Sequence, residues 1–310
     1  MSFQIDPFLD QAGRPGRTVT MDSDEIKTAL DTKGYVVIPG VLTQQEVEAN
    51  LALFRAWQAS IPDHDYVHDR INPHGIYKYH QAGHQEHAWS IRTNPRVQAP
   101  FQALWGTDQL NVSFDGSCYI PKDCRKTDKI WTHSDQAPNA HGLQCYQGIV
   151  ALTSNRERTL VVYEGTHKIH QAYFEAKGRG SDTKNWQLID PADVVAMADR
   201  KRALDIPAGA MALWDSRTFH QNQYGAPGSE ERIVQYVSYQ PKSDPKNTKA
   251  MQRKRLLYYT NRRTTSHWAN RIRVNGLQGQ NYGDKRLIID YGKLRQPDLE
   301  MYDAEARKLM

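Results

Sequence analysis

Trp131-Thr-His133-Ser-Asp135 sets a nitrogen ligand and an oxygen ligand two residues apart, at the end of a run whose composition reads as strand. Side chains at i and i+2 of a strand project from one face, so His133 and Asp135 could reach a common point. A second histidine would complete a two-histidine, one-carboxylate face. Such a face holds three corners of an octahedron and leaves three positions open for reactants, the arrangement of non-haem Fe(II) oxygenases. The chain has twelve histidines to draw on. The His-x-Asp pair occurs once, roughly what chance gives at this composition, and His84-Gln-Glu86 is a chemically similar pair. His80, His84 and His87 recur at i, i+4 and i+7, so on a helix they would share a face, as a second metal site or as a polar face lining the substrate mouth or solvent. His133 differs from these in lying inside a long block of short strands.

Those strands have to position the pair. From about Gly106 to Pro241 the chain is a series of β-branched and aromatic runs separated by Gly, Pro, Asn and Asp. They are Leu110 to Pro121, Lys129 to Asp135, Leu143 to Thr153, Thr159 to Tyr163, Trp186 to Ile189, Ala203 to Pro207, Ala210 to Trp214, Thr218 to Gln221 and Arg232 to Tyr239. This spacing predicts a β-sandwich or barrel. Ahead of it come an arm over residues 1 to 20, a short helix from Asp22 to Leu30, a strand from Gly34 to Gly40 and a helix from about Thr43 with Val47, Leu51, Phe54 and Trp57 on one face. Residues 60 to 108 read as irregular to helical. Behind the block, Asn247 to Ile272 is predicted to begin as a helix that buries Met251, Leu256 and Leu257 and turns its arginines outward, and the last thirty residues are expected to wrap the surface.

Composition narrows the class. With 310 residues, 39% hydrophobic and 24% charged, the chain can bury a sizeable core and is not a disordered tail. No apolar run approaches the ~20 residues needed to cross a bilayer, and MSFQIDPFLD lacks the basic-then-apolar order of a leader, so a soluble, cytoplasmic protein is expected. Cys118, Cys124 and Cys145 show no CxxC spacing and suggest neither a disulfide framework nor a zinc knuckle. The net charge of +5 is local: between Pro241 and Arg273 ten Lys and Arg face the single Asp244.

Four segments, in order, resemble the phytanoyl-CoA dioxygenase-like branch of the Fe(II)/2-oxoglutarate oxygenases. They are Gly34-Tyr-Val-Val-Ile-Pro-Gly40-Val-Leu, His133-Ser-Asp135, Leu160-Val-Val-Tyr-Glu-Gly165-Thr-His-Lys168 and Phe219-His220-Gln-Asn222, followed by Arg232 at the head of the strand to Tyr239. The separations of 87 residues from His133 to His220 and 12 from His220 to Arg232 are similar to the family's. The resemblance covers about Asp24 to Gln240. It implies a mainly β fold with flanking helices around a double-stranded β-helix (jelly-roll, cupin-like) core. The expected organisation is a single domain: residues 1–108 packing on the core, 109–240 forming it, and 241–310 a basic extension.

The resemblance further implies Fe(II), 2-oxoglutarate and O2, with His133, Asp135 and His220 as iron ligands and Arg232 pairing with the distal carboxylate of 2-oxoglutarate. Asn222 would lie beside that carboxylate and Lys78 near the other end of the cosubstrate. Gln147 would point inward beside it by strand parity, and Phe114, Gly116 and Cys118 would line the floor. Asp135 stands where halogenases of the superfamily carry a small residue, which argues against that branch. Three positions depart from the family pattern: Gly209-Ala210 where Gly-Asp is frequent, Gln221 after the distal histidine instead of glycine, and Ile149 where relatives often have tryptophan.

Gly165-Thr-His-Lys168 reads as a structural turn. Arg253-Lys-Arg255, Tyr258-Tyr259, Arg262-Arg263 and His267-Trp268 interleave basic and aromatic residues, a pattern that suits single-stranded nucleic acid or an anionic group, although such runs are more often a solvated face with tyrosines packed on the body. The leading expectation is a hydroxylase of a small molecule releasing succinate and CO2. Its alternatives are an idle β-helix protein that binds a partner through the basic segment, or an oxygenase of nucleic acid or protein.

Overall fold

The computed structural model describes residues 21–310; the arm expected over residues 1 to 20 lies outside them. In chain order the strands are β1 (Tyr35–Ile38), β2 (Leu110–Val112), β3 (Ser117–Ile120), β4 (His133–Ser134), β5 (Tyr146–Ala151), β6 (Leu160–Tyr163), β7 (Gln187–Leu188), β8 (Lys201–Ala203), β9 (Met211–Asp215), β10 (His220–Asn222), β11 (Arg232–Val237) and β12 (Tyr239–Pro241). They form two five-stranded antiparallel sheets, β1-β9-β5-β11-β3 and β7-β4-β10-β6-β8, and a β2-β12 ribbon.

The period-2 rule sorts side chains between the two faces of each sheet. Ile149, Ala151, Ala212, Trp214 and Val234 of the first sheet meet Leu160 and Val162 of the second in one core. Their neighbours Val150, Met211, Leu213 and Ile233 point the other way, into a second core under the helices. Val161 and Tyr163 bury themselves outside the second sheet with Phe174 and Val194. Apolar residues are needed on both faces, which is why these strands read as continuous apolar runs without alternation.

The helical third supplies the cover: α1 (Ser23–Lys33), α2 (Gln44–Ala59), α3 (His64–Ile71), α4 (Glu86–Thr93) and α5 (Pro95–Trp105). Thr43 caps α2 reciprocally, its hydroxyl accepting from the Glu46 amide at 3.2 Å while the Glu46 carboxylate accepts from the Thr43 amide at 2.8 Å. Val47, Phe54 and Trp57 then face the sheet. Gly34 ends α1 at φ 87°, where a Cβ would lie 2.5 Å from His167 Nδ1 and 2.6 Å from Thr218 Oγ1, so only glycine passes between helix and sheet there. On the second sheet lie α6 (Thr166–Ala176), which starts directly after the Gly165 turn, and α7 (Pro191–Ala196).

Three expectations are corrected. Leu110 to Pro121 is two strands with a break at Gly116, where a Cβ would lie 1.9 Å from the Tyr77 carbonyl oxygen. In α8 (Lys249–Thr260), Leu256 and Leu257 are 49% and 55% exposed, whereas Arg255 is buried. The helix docks along Met251, Arg255 and Tyr258-Tyr259, and the Arg255 guanidinium donates to the Ala269 carbonyl and to Asn247 and Asn270. The last thirty residues enter the body: Leu287 and Ile289 pack with Val67 and Ile71 of α3, and Ala306 and Leu309 at α9 (Glu300–Lys308) join the core beside α4. No helix among the described residues is long and apolar enough to cross a membrane.

Candidate active site

Strands β4 and β10 are neighbours, and His133 pairs directly with His220. Directly opposed residues share a face, so both imidazoles enter the space between the sheets with ring centroids 4.4 Å apart. Asp135 follows β4, held by its amide to the Ser216 carbonyl at 3.0 Å. Its Oδ2 lies 3.2 Å from His220 Nε2 and 3.7 Å from His133 Nε2. One donor atom from each residue falls within 4.8 Å of the others, and all three residues are buried.

The tautomers are set from behind. His133 Nδ1 lies 3.0 Å from the Trp131 carbonyl and His220 Nδ1 2.8 Å from the Thr218 carbonyl, so each Nδ1–H donates to backbone and each Nε2 lone pair is turned toward Asp135. Burial, reinforced by the neighbouring His220, holds His133 down to about 4, which keeps its ring neutral and able to donate a lone pair at neutral pH. Burial pushes the Asp135 carboxyl up, but the imidazoles of His267, His133 and His220 outweigh it and hold it well below the usual carboxylate range. Two imidazoles and one carboxylate converging in a buried space form a donor set suited to a divalent metal with sites left open.

Arg232 opens β11 and is fully buried. One terminal nitrogen donates to Asn222 Oδ1 at 3.0 Å, while its Nε and Nη1 have no partner. The adjacent acids are engaged elsewhere: Glu230 accepts the amides of Arg156, Glu157 and Arg158 at 2.7, 2.9 and 3.0 Å, and Glu231 pairs with Arg55. A buried guanidinium lacking a counter-ion costs several kcal/mol, and a ligand carboxylate would supply what is missing. Asn222, two residues after His220 on β10, also donates to the Tyr236 hydroxyl at 3.0 Å, which fixes the side of its amide that faces Arg232.

The other expected residues fall in three groups. Gln147 points inward, donating to Asp135 Oδ2 at 3.2 Å. Lys78 is partly buried, and burial lowers its pKa while the charge of Asp135 partly restores it. Cys118 lies 3.7 Å from the Asn222 amide nitrogen, on the floor. Phe114 does not line the floor, because its ring belongs to the outer core against His84 and Trp89. His80, His84 and His87 share no helix face. His80 sits in a turn at φ 55°, His84 Nε2 reaches the Arg263 carbonyl and His87 Nε2 the Ser117 hydroxyl, and all three are buried.

Several contributors carried only weak sequence signals. Gln221, a departure from the family pattern, accepts from the Trp131 amide at 3.2 Å and the Thr132 hydroxyl at 2.7 Å, cross-linking the two histidine strands. The Trp131 ring stacks on His133 at 4.9 Å and on His74 at 3.7 Å, Trp186 lies 5.5 Å from His133, and Trp214 lies 5.3 Å from His220. His267 arrives from the basic segment, whose Arg255 and Trp268 are buried in the body and unavailable as a nucleic-acid surface.

Two antiparallel sheets enclosing a metal-ligating face define a double-stranded β-helix oxygenase of the non-haem type. Within that class the chain belongs to the phytanoyl-CoA dioxygenase (PhyH) family, whose model matches residues 30–223. It is 30% identical over 212 residues to Ava biosynthesis cluster protein O of Aspergillus versicolor, covering 63% of this chain and 68% of that protein. HygX of Streptomyces hygroscopicus, solved with nickel and 2-oxoglutarate bound, is 16% identical with a TM-score of 0.50 over 71% of this chain and 87% of its own. GlcNAc Inducible Gene 2 of Candida albicans is 13% identical with a TM-score of 0.52 over 69% and 62%. At these identities the two structures show the shared fold. The metal and cosubstrate of the class fit this site: three donors suit Fe(II), and the unsatisfied guanidinium of Arg232 suits 2-oxoglutarate. The family match ends at residue 223, so Arg232 rests on geometry.

Proposed function

We propose that the protein is an Fe(II)- and 2-oxoglutarate-dependent dioxygenase that hydroxylates a small molecule and releases succinate and CO2. The observation that carries this reading is the convergence of His133, Asp135 and His220 a short way along β10 from a buried arginine with unused donors. His133, Asp135 and His220 hold iron on one face. Arg232 and Asn222 receive the distal carboxylate of 2-oxoglutarate, a planar fork meeting a planar acid, and Lys78 stands near its other end. Gln147 steadies the Asp135 oxygen that faces the histidines. Iron and 2-oxoglutarate, once bound, supply oxidative decarboxylation and the power to functionalise an unactivated C–H bond. The Trp214 ring, buried beside His220, helps keep bulk water from the reacting centre.

That the substrate is a small molecule is supported by the kinship with a protein of a biosynthesis cluster and by the burial of the basic segment's anchors. Anaerobic titration with Fe(II) and then 2-oxoglutarate tests the reading. The weak visible band of an iron-chelated 2-oxo acid is expected in the wild type and absent in Asp135→Ala; no band in folded wild-type protein overturns the proposal.

A further inference from the structure

Two buried ring nitrogens beside the metal ligands have no part in that chemistry, Trp214 Nε1 and His267 Nε2. His267 Nε2 is fully buried and has no hydrogen-bond partner. The ring and Asp135 each feel the other's charge, and the ring also feels His220. It sits near the tip of a hairpin that closes where Thr265 bridges Val274 and the Ser266 amide donates to the Arg273 carbonyl at 2.9 Å. The hairpin is fastened at its base: Thr265 donates to the Phe114 carbonyl at 2.8 Å and accepts from its amide at 3.1 Å, and Thr264 Oγ1 accepts from the Gly83 amide at 3.0 Å. Trp268 and Ile272, both buried, anchor the tip. His267 is thus presented by rigid backbone.

Its side of the metal follows from β3. Arg232 pairs with Ile120 at one end of that strand, whereas the hairpin meets Phe114, beyond the other end. The cosubstrate's anchor and His267 therefore lie toward opposite ends of the barrel, leaving His267 on the side where a substrate would enter. That side has an apolar rim. Leu188 is directly opposite His133, hence on the same face, yet is 43% exposed, and Trp186, beside His133, is 39% exposed.

We propose that His267 is a substrate-contact residue, hydrogen-bonding through Nε2 to a hydroxyl or carbonyl oxygen of an apolar, ring-sized substrate whose hydrocarbon body rests on Trp186 and Leu188. The inference rests on the iron and 2-oxoglutarate reading of the site. A buried ring nitrogen without a partner rejects an analogue lacking the matching oxygen, because the analogue leaves that atom unsatisfied.

The test uses the full-length protein loaded anaerobically with Fe(II) and 2-oxoglutarate, and three probe pairs: decahydronaphthalen-1-ol with decahydronaphthalene, 2-adamantanone with adamantane, and 5α-androstan-3β-ol with 5α-androstane. Binding is read by saturation-transfer NMR and by the shift of the chelate band. Wild type is expected to prefer the oxygenated partner of at least one pair by about five-fold or more. His267→Ala should abolish that preference while keeping the chelate band and thermal midpoint, and His267→Gln should keep part of it. Trp186→Ala should weaken both partners alike. Equal preference in His267→Ala and wild type overturns the proposal, as does wild-type protein that forms the band yet binds none of the six. Failure to form the band overturns the underlying reading instead, so the two failures are distinguishable.

Discussion

Histidines of the helical third and histidines of the β-helix are made of the same chemistry and come to opposite ends. Six of the twelve lie between residues 64 and 87, and two, His133 and His220, lie on paired strands. On β4 and β10 the pairing register aims both rings at one point, and backbone carbonyls two residues upstream hold each Nδ1–H, so the Nε2 lone pairs converge. In the helical third each ring takes its own direction: His68 toward the Tyr119 carbonyl, His84 toward Arg263 and His87 toward Ser117. Ligand spacing in sequence creates a site only where the backbone imposes one direction on several side chains, and sheet pairing does that where turns do not.

The sharpest way to break this comparison is reciprocal substitution. His220→Ala or Asp135→Ala should abolish succinate formation and bound iron while the thermal midpoint holds, whereas His87→Ala should cost roughly 2–4 kcal/mol of stability and leave the iron content per folded molecule unchanged. Iron analysis alongside chemical denaturation checks both halves. Next in size is Arg232→Met, for which the affinity for 2-oxoglutarate should fall roughly 100-fold or more. The ligand-free protein should become no less stable, because removal of a buried cation without a counter-ion offsets the lost hydrogen bond to Asn222; marked destabilisation would mean that the guanidinium has an ionic partner.

Acid should act mainly on the helical third. Burial holds His68 and His80 down to about 4 and His87 to about 3, so they stay neutral in the folded protein after the unfolded chain has begun to protonate near 6.5. Their contribution is intact above that value and is lost as pH falls from about 6.5 toward 3–4, at up to about 1.4 kcal/mol per unit for each ring. Urea midpoints should drop from pH 7.5 to 5, with a shallower decline in His68→Asn; an unchanged slope would clear His68 of the effect. The smallest change is expected for Gln221→Gly, which restores the family's usual residue and removes three hydrogen bonds to the segment leading into β4, costing roughly 1–3 kcal/mol by thermal or urea unfolding.

The sequence made much of the site legible because strand parity and ordered motifs are local. His133 with Asp135, the inward Gln147 and the buried Arg232 all follow from such cues. What it concealed depended on which face of an element meets the body. Leu256 and Leu257 look like a buried stripe, but Arg255 takes that face because carbonyls and amides of residues 247, 269 and 270 are there to receive its donors. Phe114 has the right neighbours for a floor residue, yet the chain breaks before β3 and turns its ring outward. His267 was visible only as part of a basic-aromatic run, since its approach to Asp135 depends on a hairpin that returns across the whole chain.

That return has a consequence for how the protein is made. The hairpin is fastened to partners 151 and 181 residues upstream, at Phe114 and Gly83. At roughly 5–20 residues per second, the interval between synthesis of His220 and of His267 lasts several seconds. Through that interval the hairpin has no chain to dock, and its contacts to Phe114 and Gly83 form after the residues that carry the three ligands have been made.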